Sequence, residues 1–576
     1  MHSSMKFMLV SVFPDYGCSN STCNLPRIGI LIYAILAGFF FWLLVKMFLY
    51  SINHSYILEM LISTKLLGLS YGALTMSEFN LLFQVKPLLY LILFCSLIFL
   101  ENILIKNVVV MGGLMNLENK TAFYNILGPV ILNSINFFSI PIFTRFLGPE
   151  QYGIVSVYTA WVGIFSIVFG LQVQGSIGTA MVRFEAKELK SYLSSILILG
   201  LLFAAFCLFL GWLFSGVLAR VLLLDGIKLG LMGFQAVGGF VIAFSGIAFV
   251  FYKKAKNSFW VNISTAVSTT VLSLMLIMYY FPTDQLYLGK MYGMAVPIAV
   301  IAAGLAIYFI KEGRGSFNLR YVKFCIPICL PLIFHGLSQI ILGQSDRIML
   351  QHMLGNGPTG IYSFMITFSG VLLAIYGALN NTWVPFYYDD LKAGFLEKIA
   401  AKTKNYIFIY SIMVIVFLLW APEVIKIFAP PSFWQSIDLL PLFVLGNYFN
   451  FLYSFPVNFE FFHKTTYTIA IGTICAAAVN IGGNYLLIPQ WGVWGAALAT
   501  LLAHILLFSF HEIIAAYVLP YSYHYSMRTF LPGIIAVVIA VIGAIMLTEF
   551  ILIRWFIGAV LACVWLYSIY QRGSLF

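Results

Sequence analysis

Asn125, Asn133, Asn136 and Thr144 recur at multiples of three and four, a spacing that gathers them on one face of a helix. His335, Gln339 and Asp346 form a second such stripe, with Arg347 adjacent. A third holds Asn447, Asn450, Ser454 and Asn458 in the register i, i+3, i+7, i+11. Gln174 and Asn381 stand 207 residues apart, and Arg145 and Arg183 sit where apolar runs end. Amides, hydroxyls and a few cations bind polar groups rather than make bonds, and an arginine fork can hold two oxygens of one anionic group at once. Residues for bond-making chemistry are missing. No Gly-x4-Gly-Lys-Ser/Thr loop is present to hold ATP phosphates, no His-Glu-x2-His and no Asp-x-Asp. Asp389-Asp390 reads as a solvated turn, and Glu460 with His463 and Lys464 as the cap of a helix end. Cys325 and Cys329 lie one turn apart with no His or carboxylate beside them. The pattern predicts a carrier, not an enzyme, with no cofactor and no metal.

The elements that position these residues are membrane helices. The chain has 576 residues, 62% of them hydrophobic and only 9% charged, which excludes a secreted protein, a cytosolic enzyme or a nucleic-acid reader. At about 20 apolar residues per crossing, residues 121–576 hold fourteen candidate spans, near 121–142, 153–175, 192–214, 229–251, 258–281, 288–310, 322–345, 359–382, 405–421, 438–461, 466–488, 492–517, 529–548 and 550–570. Two or three more precede them within 1–114. The net charge of +11 sits in short loops, where Lys and Arg set topology. With Lys120 inside, eighteen basic residues from Lys120 to Arg572 fall on the cytoplasmic side and seven (Arg145, Arg220, Lys228, Lys290, Arg347, Lys426 and Arg554) on the other. Both ends of the 115–576 core are thus expected in the cytoplasm. Span-end aromatics such as Trp161, Trp260, Trp383 and Trp491 read as an interfacial belt. Cys18 and Cys23 read as free thiols, or as a disulfide if the N-terminus lies outside.

The chain repeats itself. Leu147-Gly148-Pro149-Glu150-Gln151-Tyr152-Gly153-Ile154 returns 207 residues later as Leu354-Gly355-Asn356-Gly357-Pro358-Thr359-Gly360-Ile361, and the same offset carries Pro282 onto Pro489. Tyr292-Gly293-Met294-Ala295 answers Trp494-Gly495-Ala496-Ala497 at offset 202. Two parallel six-helix repeats follow, 115–315 and 316–517, with two additional spans in 518–576: an all-α polytopic membrane protein of transporter architecture.

Phe143-Thr144-Arg145-Phe146-Leu147-Gly148-Pro149-Glu150-Gln151-Tyr152-Gly153 resembles the first-hairpin signature of polysaccharide and O-antigen lipid flippases. So do Ser345-Asp346-Arg347-Ile348-Met349-Leu350 and Asn480-Ile481-Gly482-Gly483-Asn484-Tyr485-Leu486-Leu487-Ile488-Pro489 with the Gly492–Thr500 stretch after it. These flippases belong to the multidrug/oligosaccharidyl-lipid/polysaccharide exporter superfamily, and the resemblance covers residues 115–576. It implies an undecaprenyl-pyrophosphate oligosaccharide as cargo, moved from inner to outer leaflet of the bacterial cytoplasmic membrane for O-antigen or capsule. It also implies a polymerase and a chain-length regulator as partners, besides the lipid bilayer itself. A charged headgroup cannot cross about 30 Å of hydrocarbon unaided. Arg145, Arg183, Asp346, Arg347, His335, Gln339, Asn133, Asn136, Gln174, Asn381, Asn450 and Asn458 are the candidate lining of its path. Helix-to-helix bonding is the competing role for each amide, and snorkelling for Arg145 and Arg183.

Residues 1–114 fit no part of that pattern, and Met115 reads like a natural start, which points to a fused segment or a misplaced first codon. Three rivals share the evidence of the sequence. An ion-coupled multidrug exporter wants a membrane carboxylate, and the first span has none. A lipid II flippase would share all fourteen spans. An O-antigen polymerase wants a long extracytoplasmic loop, and no loop after residue 115 is long enough.

Overall fold

The structure, a computed structural model, describes residues 117–519 and 527–572. The expected N-terminal spans and the reading of 1–114 as an added segment lie outside the described residues. Helices follow one another as α1 (Leu117–Gly170), α2 (Ile177–Arg183), α3 (Ala186–Leu213), α4 (Ser215–Leu222), α5 (Gly226–Phe251), α6 (Ala255–Tyr279), α7 (Leu286–Glu312), α8 (Leu319–Leu354), α9 (Asn356–Lys392), α10 (Leu396–Phe428), α11 (Leu440–Phe462), α12 (Thr466–Trp491), α13 (Val493–Ile513), α14 (Met527–Met546) and α15 (Ile551–Arg572). No strand occurs among the described residues, as the all-α expectation required. In hydrocarbon a helix satisfies its own backbone.

Among the described residues, twelve helices are long and apolar enough to cross a membrane. Fourteen were expected, and the difference lies at two places. Gly148, at φ 61° and ψ 176°, breaks α1 into two arms, a backbone state that costs glycine least, and Pro149 then starts the second arm with its fixed φ. α11 has the length, but Asn447, Asn450 and Asn458 lower its apolarity. Large apolar side chains on the outer surface, such as Phe206, Phe209, Trp212, Ile539, Leu552 and Phe556, are exposed, as a lipid-facing surface requires.

Turns alternate between two faces of the bundle. One face carries Gly148, Gly355 and Gly492, all at positive φ; the other carries Lys253, Arg314, Gly394 and Lys464. On the Gly148 face the second arm of α1 crosses the start of α9, and the crossing is glycine on glycine. A Cβ built on Gly153 would collide with the Asn356 carbonyl, and one built on Gly360 with the Pro149 carbonyl. Gly153 and Gly360 are repeat-equivalent, 207 residues apart, so each half offers the same residue to the other. Beside them Thr144 and Arg145 hydrogen-bond the Phe428 carbonyl at the end of α10 (3.1 and 3.3 Å).

α8 is shared between two cores. Tyr321, Cys325 and Cys329 near its start are buried with Tyr192, Ile196, Phe244 and Phe309 of the first helices. Leu342, further along, packs with Ala476, Ala477, Ala503 and Leu507 of α12 and α13. The Cys325 and Cys329 sulfurs lie 3.5 Å apart in the first core, and Ser176 Oγ is 3.4 Å from Cys325.

Candidate functional site

Asp346 and Arg347, neighbours in sequence, have opposite surroundings. Asp346 is 2% exposed and accepts three hydrogen bonds: from Asn484 Nδ2 on α12 (2.6 Å), Thr500 Oγ1 on α13 (2.6 Å) and Tyr362 Oη on α9 (2.7 Å). Asn480 extends the network, accepting from Ser345 Oγ (2.8 Å) and from Asn484 (3.2 Å), and donating to Thr500 (3.3 Å). Four helices are tied through one carboxyl group, with amides and hydroxyls as donors, and the acid is closed off rather than open to a cleft. Helix spacing of about 100° per residue turns Arg347 away from its neighbour. Its side chain is half-buried and its Nε has no hydrogen-bond partner. The charged and phenolic groups in its electrostatic reach are Tyr152 of α1, Tyr362 and Asp346. Tyr152 is one residue from the Gly153–Gly360 crossing, which places Arg347 by the seam between the first six helices and the second six.

The other predicted residues divide by environment. Asn133 and Asn136 of α1, Gln339 of α8 and Asn381 of α9 are exposed, while His335 and Asn450 are half-buried. Gln339 also donates to Thr473 Oγ1 on α12 (3.3 Å). Gln174 lies in the 3-10 turn after α1 and donates to Gln172 (2.6 Å). That Gln172 reaches α8, where a Cβ on Gly336 would strike its amide nitrogen, so the turn touches α8 next to His335. The third stripe is inter-helical stitching at two of its positions: Asn458 donates to Asn380 Oδ1 of α9 (3.0 Å) and Asn447 to the Ser369 carbonyl (3.2 Å).

The geometry gives the two arginines their surroundings and corrects the readings of Asp390 and Glu460. Arg145 Nη1 donates to the Pro141 carbonyl (2.7 Å) and Nη2 to the Ile427 carbonyl (2.5 Å), so the guanidinium caps the last turn of α10, where a cation is favoured by the helix dipole. Arg183 is exposed in the last turn of α2, remote in sequence from every contact of the Asp346 network. Asp390 is not solvated but 7% exposed, bonded to Lys398 and Lys402 at 2.6 Å each. Glu460 does not cap α11 through His463 and Lys464. It faces inward to His511, with Nδ1 2.6 Å from Oε1. A further acid contact, half-buried Glu423 with Arg554 (2.5 Å) and Trp555 Nε1 (3.1 Å), fastens α15 to α10.

Sequence reasoning singled out Asp346 but not Tyr362, Asn484 or Thr500 as its partners. Part of the signal was present, since Asn480 and Asn484 stand one helical turn apart on α12, in the same motif that carries Thr500 of α13. It also missed Glu460–His511, although an ionisable residue inside an apolar run is itself a flag.

This geometry has relatives. Residues 119–388 match the family described as polysaccharide biosynthesis protein. An uncharacterized membrane protein of Haemophilus influenzae is 23% identical over 405 residues, 66% of this chain and 95% of the relative. Lsg locus putative protein 1 of the same organism is 21% identical over 402 residues, 66% of this chain and 94% of its own. Among solved structures, the lipid II flippase MurJ in an inward closed conformation superposes with a TM-score of 0.61 at 15% identity, over 77% of this chain and 98% of MurJ. An inward-facing multidrug resistance MATE family transporter of the MOP superfamily gives 0.54 at 14%, over 73% and 98%. At such identities the solved structures speak for the fold. Over residues 119–388 the chain thus matches the sequence pattern of the polysaccharide biosynthesis proteins, on a membrane fold similar to those of MurJ and the MATE transporter.

Proposed function

We propose that this protein is a flippase that moves an oligosaccharide on undecaprenyl pyrophosphate from the inner to the outer leaflet of the bacterial cytoplasmic membrane, supplying O-antigen or capsule assembly. The observation that carries the reading is Arg347, a cation by the seam of two six-helix halves, with an Nε that has no partner. Its neighbouring carboxyl group is taken by Tyr362, Asn484 and Thr500, which leaves the guanidinium to pair with an anion that comes and goes. A diphosphate suits that fork. The exposed amides Asn133, Asn136, Gln339 and Asn381 supply hydrogen bonds of the kind sugar hydroxyls need. The Gly153–Gly360 crossing supports alternating access: with the halves in contact on the Gly148 face, which the charge bias puts outside, cargo enters from the cytoplasm and leaves when the crossing parts.

The test is the leaflet location of the lipid-linked glycan after deletion of the gene. The expected result is undecaprenyl-pyrophosphate oligosaccharide on the cytoplasmic side with loss of surface polymer, restored by the wild-type chain and not by Arg347→Gln. Single units reaching the outer leaflet unpolymerised would return the polymerase reading, and unchanged glycan with altered drug sensitivity would favour the multidrug exporter.

A further inference from the structure

Three ionisable side chains are enclosed where α11 and α13 approach the Lys464 face. Glu460 and His511 are fully buried and Glu512 is 6% exposed. His511 Nδ1 meets Glu460 Oε1 at 2.6 Å, and Thr468 of α12 donates its hydroxyl to Glu460 Oε2. Two buried polar atoms have no partner, His511 Nε2 and Glu512 Oε2. Nε2 points at α12, where Gly472 leaves it room that a Cβ would fill. Tyr453 of α11 covers the imidazole, with ring centroids 5.0 Å apart. The remaining charged and titratable groups at this end have other placements. The His463 ring bonds the Phe459 carbonyl, Lys464 is exposed, Asp390 of α9 is held by Lys398 and Lys402, and Arg528 opens α14.

An enclosed carboxylate opposite a neutral imidazole leaves one uncompensated charge in apolar surroundings, which is the costly arrangement. One proton from water, bound at the free Nε2, makes the pair internally compensated and leaves the Nδ1–Oε1 contact in place. We infer that Glu460 and His511 form a proton-binding site where α11, α12 and α13 pack together. In the Asp346 network no imidazole is bonded to the acid, although His504 of α13 lies near it with a buried Nδ1 that has no partner. A site of this kind ties the packing of three helices to the proton concentration on the Lys464 side. It does not depend on what the protein carries.

The proton is therefore measured directly, with no cargo added. The full chain in lipid vesicles is titrated between about pH 5 and pH 8, the range in which imidazoles change charge, and infrared difference spectra follow the imidazole and carboxylate bands. Wild type minus His511→Gln is expected to isolate one reversible imidazole titration accompanied by a carboxylate change. In Glu460→Gln the carboxylate component of that difference should disappear, since Glu460 is the acid in contact with the imidazole. Superimposable spectra of wild type and His511→Gln would overturn the inference, as would a carboxylate change that survives in Glu460→Gln. His511→Gln keeps an amide that can donate to Glu460, so its helix content should match wild type and the first comparison decides even if Glu460→Gln fails to fold. A failed titration leaves the flippase reading standing, and a failed leaflet assay leaves this one.

Discussion

Asp346 and Glu460 lie towards opposite faces of the second set of helices, each enclosed and each joining neighbouring helices, but the company they keep differs. Asp346 has amide and hydroxyl donors from three helices. Glu460 has a threonine hydroxyl and an imidazole, with a second acid next to the imidazole in sequence. Donors that do not titrate near neutral pH hold a carboxyl group in one arrangement, whereas an imidazole lets the arrangement change by one proton. Two buried acids in one bundle can therefore serve as a fixed clamp and as a variable one.

Substitutions can break this contrast, the largest effect first. Asp346→Ala removes the shared acceptor of Tyr362, Asn484 and Thr500. At about 1.5–3 kcal/mol per hydrogen bond to a charged group, the loss should reach roughly 3 kcal/mol or more, read as a lowered unfolding temperature in lipid or detergent. Glu460→Gln keeps one carbonyl for Thr468 or His511 but not for both, so a loss on the order of 1 kcal/mol is expected. The difference from wild type should vary with pH across the imidazole range, and a constant difference would erase the contrast. Asp390→Asn should be smallest, under about 1 kcal/mol, because Lys398 is 53% exposed. High salt should shrink that difference further, while leaving the Asp346→Ala effect in place.

How much of this was legible in the sequence follows from the range of each signal. The membrane spans are written in local apolarity and length, and the breaks at Gly148 and Gly355 in residues that tolerate positive φ. The proximity of Gly153 to Gly360 was implied only as a repeat, since the repeat shows that the positions correspond, not that they touch. Asp346 stood out because an acid in an apolar run is rare. Its partners, up to 154 residues away, depend on how α8, α12 and α13 rotate against one another, and single-helix periodicity carries no record of that. Glu460 was taken for a cap because His463 and Lys464 follow it within one turn. The partner that won, His511, is 51 residues on, and its burial came from the packing of α11 on α13.

The glycine crossing also bears on how this protein can change over time. Every amino acid other than glycine brings a Cβ, and at positions 153 and 360 that atom meets the opposing main chain. Main chain cannot be trimmed by mutation, so a substitution at one position has no compensating substitution at the other. The two sites are thus expected to stay glycine together, while the helices around them drift, and a duplicated ancestor's mark would persist longest at the point where its two copies meet.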